Sequence, residues 1–114
     1  MDLKRFVIAT LRRASYRWPS RTEALMKARV SRGIYKCSLC DGEFGRKEIQ
    51  VDHIEPVIPL EGWVGWDSFI DRLYCKSEGL SILCKPCHKT KTYLENELRK
   101  DYKKEKENAT SDQE

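Results

Sequence analysis

The apolar residues in the first third of the chain recur at the spacing of amphipathic helices. They predict a first helix from Leu3 to about Trp18, ended by Pro19, because apolar side chains gather on one side and basic ones surround it. A second helix is predicted to begin at a capping box, Ser20–Glu23, and to run to about Arg32. The chain is therefore expected to begin with two short helices.

The middle of the chain changes to short apolar runs and alternating patterns, which are typical of β-strands. Three short strands are predicted, at residues 34–36, 49–53 and 80–83. Polar residues 43–48 predict a turn, the prolines and glycines of 56–65 predict a loop, and 66–74 has helical spacing. A long helix is expected from about Pro86, so the predicted fold class is α+β.

Charge is distributed unevenly, although the formal net charge is only +4. Residues 1–36 hold 10 basic and 2 acidic side chains, residues 37–88 hold 5 and 9, and residues 89–114 hold 7 of each. A basic segment joined to an acidic centre rich in metal-binding residue types indicates a polyanion held next to a cation site. The chain lacks a run of 18 apolar residues and a signal-peptide pattern, so we expect a cytoplasmic protein that does not enter a membrane.

Five cysteines, an odd number, are arranged as two CxxC pairs and one separate residue. The pairs are Cys37/Cys40 and Cys84/Cys87, and Cys75 is the residue left over. Four thiolates are the ligand set of a closed, tetrahedral structural zinc site, whereas the odd count disfavours a disulfide scaffold. We therefore expect Zn²⁺ to stabilise the fold without taking part in catalysis. Reduced cysteines that bind no metal are the alternative.

Both histidines of the chain lie next to these cysteine motifs or between them. His53 follows Asp52 at the end of a predicted strand, and His88 directly follows Cys87. The carboxylate of Asp52 and the imidazole of His88 suit a divalent cation that also accepts phosphate oxygens. The imidazole of His53 has an ordinary pKa near neutrality, which suits a general base. A regular strand directs Asp52 and His53 to opposite faces, so a break after His53 is expected if both line one pocket. Histidines with a purely structural role are the alternative.

Two stretches of the sequence resemble the HNH endonuclease family in its zinc-knuckle form, especially its small phage-encoded members. They are VDHIEP at 51–56 and GLSILCKPCHKTKT at 79–92, with a CxxC pair upstream. The basic N-terminal helices are similar, less specifically, to the leader of such phage proteins. The sequence departs from the family pattern at Gly79, where an asparagine usually braces the loop. Either Glu78 or Ser77 substitutes for that brace, or the brace is absent.

The resemblance implies a ββα-metal fold, also called the His-Me finger, in which two strands and a helix surround one divalent cation. It implies hydrolysis of phosphodiester bonds in DNA, by nicking or double-strand cutting, with His53 as the general base. It also implies that Asp52 and His88 bind the catalytic cation, Mg²⁺, Mn²⁺ or Ni²⁺, while the four-cysteine zinc site staples the core. The implied partners are DNA and phage packaging or replication proteins, in the cytoplasm of the host cell.

Basic side chains on the first and last helices are expected either to contact DNA phosphates or to form ordinary solvated faces. They are Arg12, Arg13 and Arg17 on the first helix and Lys89 and Lys91 on the last. Contacts of this kind contribute affinity that depends on salt, but they do not read bases.

The predicted organisation has three parts. Residues 1–33 form a basic helical extension, residues 34–102 the zinc-stabilised HNH nuclease domain, and residues 103–114 a charged tail expected to be disordered. The competing hypothesis is a non-catalytic, zinc-stapled module that binds DNA or a protein partner, such as a phage packaging or recombination accessory. Metal stoichiometry separates the two hypotheses, because only the nuclease needs a second, exchangeable cation.

Overall fold

The computed structural model describes residues 2–112, with side chains as far as residue 108, and contains four α-helices and five β-strands in that range. The helices are α1 (Leu3–Ser15), α2 (Pro19–Ala28), α3 (Trp66–Leu73) and α4 (Lys85–Asp112). The strands are β1 (Arg29–Ser31), β2 (Ile34–Lys36), β3 (Glu43–Gly45), β4 (Ile49–His53) and β5 (Leu80–Cys84). The short 3₁₀ helices Arg46–Glu48 and Ser77–Gly79 precede β4 and β5. The predicted α+β class is therefore confirmed.

Two small antiparallel sheets lie at the centre of the fold. One contains β1, β2 and β3 in chain order, and the other pairs β4 with β5. In the second sheet Ile49 opposes Cys84 and His53 opposes Leu80, and the register between these pairs is regular. Within the described residues β4 has β5 as its one partner strand, so the other edge of β4 is open. β5 leads directly into α4.

The second predicted helix is shorter than expected and begins differently. α2 ends at Ala28 because residues 29–31 pair with β2 as a strand. Gly33, with a φ of 74°, supplies the turn between these two strands, in a conformation that residues with a Cβ rarely adopt. The predicted capping box is wrong, since Trp18 is the N-cap and makes no side-chain cap hydrogen bond. Pro19 occupies the first helical turn, where its fixed φ suits the helix.

The segment 43–48, predicted as a turn, instead forms β3 and a 3₁₀ helix. Phe44 opposes Tyr35 of β2, and its ring packs against the buried clusters of the core. Pairing with β2 and burial of this one ring stabilise the strand. Neither effect is visible in the local polarity of the segment.

α4 continues beyond residue 102, where the charged sequence predicted fraying or disorder. It remains helical to Asp112, and residues 113–114 lie outside the described part of the chain. The side chain of Lys106 donates a hydrogen bond to the backbone carbonyl oxygen of Glu61, which ties the helix to the loop before α3. No helix in the described residues has the length and hydropathy needed to cross a membrane.

Buried apolar side chains join the N-terminal helices to the rest of the fold. One cluster comprises Ala24 of α2 with Ile49, Leu80 and Ile82 of the second sheet. Another contains Phe69 and Leu73 of α3, against which Ile8 and Leu11 of α1 pack. These contacts place the basic side chains of α1 and α2 beside the open edge of β4.

Candidate functional site

Four cysteine side chains converge where β2 and β5 end. Cys37 and Cys40 lie in the turn after β2, Cys84 is the last residue of β5, and Cys87 lies in the first turn of α4. Their Sγ atoms all lie within 4.8 Å of one another, and those of Cys40 and Cys84 are 3.9 Å apart. Sulfurs around a tetrahedral zinc ion are separated by about 3.8 Å, given Zn–S distances of about 2.3 Å. The predicted set of four is confirmed as a group placed to hold a metal ion, consistent with structural zinc.

The turn that carries the first cysteine pair depends on two unusual backbone positions. Asp41 has a φ of 61°, and the N–H of Cys37 donates to the carbonyl oxygen of Gly42 at 2.9 Å. A Cβ at position 42 would lie 2.8 Å from the ring of Phe44, so only glycine fits without displacing that ring. The turn therefore aims Cys37 and Cys40 at one point.

The protonation of these thiols favours a bound cation. Burial alone would raise the pKa of Cys37, but hydrogen bonds from the backbone N–H groups of Cys40, Cys84 and Leu39 lower it to about 6. A hydrogen bond to Cys84, followed by burial, raises the pKa of Cys87 to about 12. Neighbouring thiols of the cluster thus have pKa values shifted in opposite directions. A divalent cation removes this conflict because it stabilises every ligand as a thiolate.

A second group of ligand atoms lies where β4 meets α4. Oδ1 of Asp52 is 3.5 Å from Nε2 of His88, and Oδ2 of Asp52 accepts a hydrogen bond from Nζ of Lys91 at 2.5 Å. Nζ of Lys91 also donates to the backbone carbonyl oxygen of His53 at 2.7 Å. Only 11% of the Asp52 side chain is exposed, so α4 holds this carboxylate in a fixed position. The structure thus brings together the three residues selected from the sequence and adds Lys91 to them.

A cavity of about 370 Å³ opens beside this group. Asp52, His53 and His88 all border it, although the first two are neighbours in a regular strand. The strand ends at His53 and the chain bends at residues 54–55, as the predicted break requires, although the N–H of Ile54 still donates to the carbonyl oxygen of Gly79 at 3.0 Å. Residues 50–53 line the cavity consecutively because it runs along the open edge of β4 and not over one face.

The imidazole of His53 is oriented by the end of α3. Its Nε2 lies 3.0 Å from the backbone carbonyl oxygen of Leu73. A carbonyl oxygen only accepts hydrogen bonds, so Nε2 carries the proton and Nδ1 keeps a lone pair. Burial lowers the pKa of His53 below its usual value, and the positive charges of Arg21 and Arg12 lower it further. The ring is therefore neutral near pH 7 and can accept a proton.

Three arginines from different helices surround the same cavity: Arg12 of α1, Arg21 of α2 and Arg99 of α4. Arg21 and Arg99 were not among the site residues predicted from the sequence. The spacing held a signal for Arg99, because His88, Glu95 and Arg99 follow one face of α4 and all line the cavity. For Arg21 the local sequence held none, since its role depends on how α2 packs against β4.

The predicted phosphate contacts are divided between the cavity and the outer surface. Arg12 lines the cavity, whereas Arg13, Arg17 and Lys89 are exposed and lie outside its lining. Lys91 is engaged by the carboxylate of Asp52, so its ammonium group is not free for a phosphate. Phosphate contacts by the exposed three remain a prediction.

The glycine at the position of the family's asparagine has a local steric cause. A Cβ at Gly79 would lie 2.9 Å from Sγ of Cys75, which packs against this backbone. Substitution of Ser77 or Glu78 for the asparagine stays a prediction, and the contacts of both residues are with α2. Both interact with Nζ of Lys27 on α2, at 2.7 and 3.5 Å, and so attach that helix to the segment before β5.

Comparisons with protein-family models, with curated proteins and with solved structures gave no match to this chain. The site is therefore interpreted from its own residues. It combines a neutral imidazole, a carboxylate next to a second imidazole, and three guanidinium groups around one cavity. That combination suits an anionic substrate whose reaction requires proton transfer.

Proposed function

We propose that this chain is a metal-dependent DNA endonuclease of the HNH, or ββα-metal, type. The observation that carries the proposal is the convergence of His53, Asp52 and His88 on one arginine-lined cavity. In this proposal His53 is the general base, and Asp52 and His88 bind one divalent cation, Mg²⁺, Mn²⁺ or Ni²⁺. The resemblance of the two sequence stretches to HNH endonucleases supports the same assignment.

The two cation ligands have a suitable spacing. Ligand atoms lie about 2.0–2.2 Å from such a cation, so donors 3.5 Å apart can share one ion. Among the described residues, three or more metal-ligand side chains come together only at the cysteine cluster. Asp52 and His88 therefore leave coordination positions for water and a phosphate oxygen, as a catalytic site requires. When bound, the cation supplies charge neutralisation at the phosphate and at the leaving oxygen.

The remaining chemistry belongs to side chains of the chain itself. Nδ1 of His53 takes a proton from the attacking water, while the hydrogen bond from its Nε2 to Leu73 keeps the ring in place. Arg12, Arg21 and Arg99 provide positive charge around a phosphodiester in the cavity. Lys91 acts as a positioning residue, because it holds both the carboxylate of Asp52 and the backbone of His53.

One observation favours a second candidate function, a non-catalytic zinc-stapled module that binds DNA or a protein. Lys91 already neutralises Asp52 through a 2.5 Å contact, as it would in a site that never holds a second cation. Metal analysis of the purified protein tests this candidate. The nuclease should bind zinc and one exchangeable divalent cation, whereas the binding module should bind zinc alone.

Cleavage of supercoiled plasmid tests the proposed function directly. Purified protein and His53→Ala, prepared identically, are incubated with plasmid in EDTA or in added Mg²⁺, Mn²⁺ or Ni²⁺. Nicking or linearisation that needs the cation and falls at least about a hundredfold in His53→Ala supports the nuclease, since the substitution deletes only the base. Zinc content of both samples shows that the fold is retained. Equal cleavage by the two proteins would exclude this mechanism, and no cleavage with any cation would favour the binding module.

A further inference from the structure

A second cavity, of about 380 Å³, shares part of its lining with the first and carries only positive charge. Its charged lining consists of Arg21 of α2, Arg46 and Lys47 of the 3₁₀ helix before β4, and Lys85 at the start of α4. None of its lining residues is acidic. Four cations from three separate elements thus border one space.

These four cations differ from the basic residues that serve structural roles elsewhere in the fold. Lys27 has Glu23 and Glu78 within ion-pair distance, and Lys36 has Asp41. In the described part of the chain the four cations around the second cavity have no such carboxylate partner. Their charge is therefore compensated by solvent ions or by an anionic ligand.

Arg21 belongs to both cavities, and so do Tyr16, Gln50 and Val51. Burial lowers the pKa of Arg21, the nearby Tyr16 raises it, and the charge of Arg46 lowers it again. The guanidinium groups of Arg21 and Arg46 thus repel each other while one of them is half-buried. An anion between them would convert this repulsion into attraction.

We propose that the second cavity binds a backbone phosphate of a nucleic acid strand, next to the phosphodiester held in the His53 cavity. The strand would pass from one cavity to the other along the open edge of β4, over Gln50 and Val51, with Arg21 between the two phosphates. The inference rests on the proposed function for its choice of anion. It assigns a binding role to Arg46, Lys47 and Lys85, and it makes the site recognise a chain of phosphates in preference to a single one.

Binding measurements on the full chain test this proposal separately from catalysis. Arg46→Gln/Lys47→Gln is compared with Lys103→Gln/Lys104→Gln, both in the His53→Ala protein and without added divalent cation. The four positions are exposed, and each pair removes two positive charges, so the change in net charge is matched. Fluorescence anisotropy follows binding of a labelled duplex and of a labelled single strand over a series of salt concentrations.

The 46/47 pair should weaken binding about tenfold at moderate salt and reduce the slope of log Kd against log salt by about one, because one phosphate loses its contacts. The 103/104 pair should stay within about twofold of the parent protein, with an unchanged slope. Equal effects of the two pairs, or no binding of either nucleic acid by the parent, would overturn the second phosphate site. If the 46/47 and 103/104 pairs weaken binding equally but the wild-type protein cleaves plasmid, the nuclease proposal would stand without the second phosphate site. If the 46/47 pair weakens binding as predicted but the wild-type protein never cleaves plasmid, the result would support the second phosphate site and not the nuclease proposal.

Discussion

Nε2 of His53 lies 3.0 Å from the backbone carbonyl oxygen of Leu73, and this one contact decides which nitrogen of the imidazole is basic. It joins the end of β4 to the end of α3, two elements separated by the loop at 56–65. Because the carbonyl can only accept, the lone pair remains on Nδ1. The packing of α3 through Phe69 and Leu73 thus has a direct effect on the proposed chemistry.

In the proposed nuclease, the pH dependence of cleavage should show a base with a lowered pKa. Burial is the main cause of the low pKa of His53, and the charges of Arg21 and Arg12 add to it. The neutral ring is the active form, so the rate should rise with pH and level off above a midpoint that lies below the ordinary value of about 6.5. Initial nicking rates across that range measure the midpoint.

A matched pair of variants tests the cause of that midpoint. Arg21→Gln removes a positive charge near His53, so the midpoint should move to higher pH. Arg13→Gln removes the same charge from an exposed position outside the cavity, so the midpoint should not move. A wild-type midpoint above about 7 would contradict a buried, neutral base.

Loss of one zinc ligand should unfold much of the domain. Cys84→Ser removes a buried ligand from the cysteine cluster, and the free energy of zinc binding is part of the free energy of folding. We expect the variant to lose its zinc and several kcal/mol of stability, measured by metal analysis and urea denaturation. Cys75→Ser, a cysteine outside the cluster, should keep one zinc per chain and lose about 1 kcal/mol. Retention of zinc by Cys84→Ser would exclude a four-cysteine site.

Removal of Lys91 should destabilise the protein, and in the proposed nuclease the loss should depend on added cation. Lys91→Met leaves the carboxylate of Asp52, which is 11% exposed, without its closest partner. Partial exposure of the pair limits the expected loss to about 1–3 kcal/mol. Added Mg²⁺ or Mn²⁺ should recover part of it by binding the freed carboxylate.

Thermal or urea unfolding of Lys91→Met and the wild-type protein, with and without the cation, measures how far the stability loss depends on cation binding. Lys100→Met is the control, since Lys100 pairs with Glu97 on an exposed part of the same helix and should contribute less than about 0.5 kcal/mol. Identical losses for Lys91→Met with and without cation would argue against a cation site at Asp52.

Introduction of the family's asparagine should be harmful in this chain. In Gly79→Asn the new Cβ would lie 2.9 Å from Sγ of Cys75, and such overpacking typically costs about 1–3 kcal/mol. Cys75→Ala removes that sulfur, so the double variant should be more stable than the sum of the single losses predicts. Urea denaturation of the four proteins gives the interaction energy. Strict additivity would show that Cys75 is not the reason for glycine at position 79.

The sequence predicted the elements whose patterns are local. The alternation at 49–53 and the helical spacing at 66–74 lie within those segments, and both elements form as expected. β1 was missed because 29–31 becomes a strand only by pairing with β2. The continuation of α4 was missed because the charged sequence after residue 102 has no apolar periodicity, and its contact from Lys106 to Glu61 is with a distant loop.

The residues of the candidate site likewise fall into those with a local sequence signal and those placed by distant packing. Residue type and spacing selected Asp52, His53 and His88, and the structure brings them to one cavity. The alternation of β4 suggested that the side chains of Asp52 and His53 would point to opposite faces. A sequence does not reveal that a cavity follows the edge of the strand, where it can meet both side chains. Arg21 enters the site only through the packing of α2, so no local pattern could have identified it.

Cys87 and His88 are consecutive residues in the first turn of α4. The first belongs to the cysteine cluster, and the second faces Asp52. In the proposed nuclease, a chelator strong enough to extract the structural zinc would release this turn and move His88 away from Asp52. Restoring Mg²⁺ alone to such a sample should therefore leave it inactive, and zinc has to be returned first. In the proposed nuclease, the order in which the two metals are added therefore becomes an experimental variable.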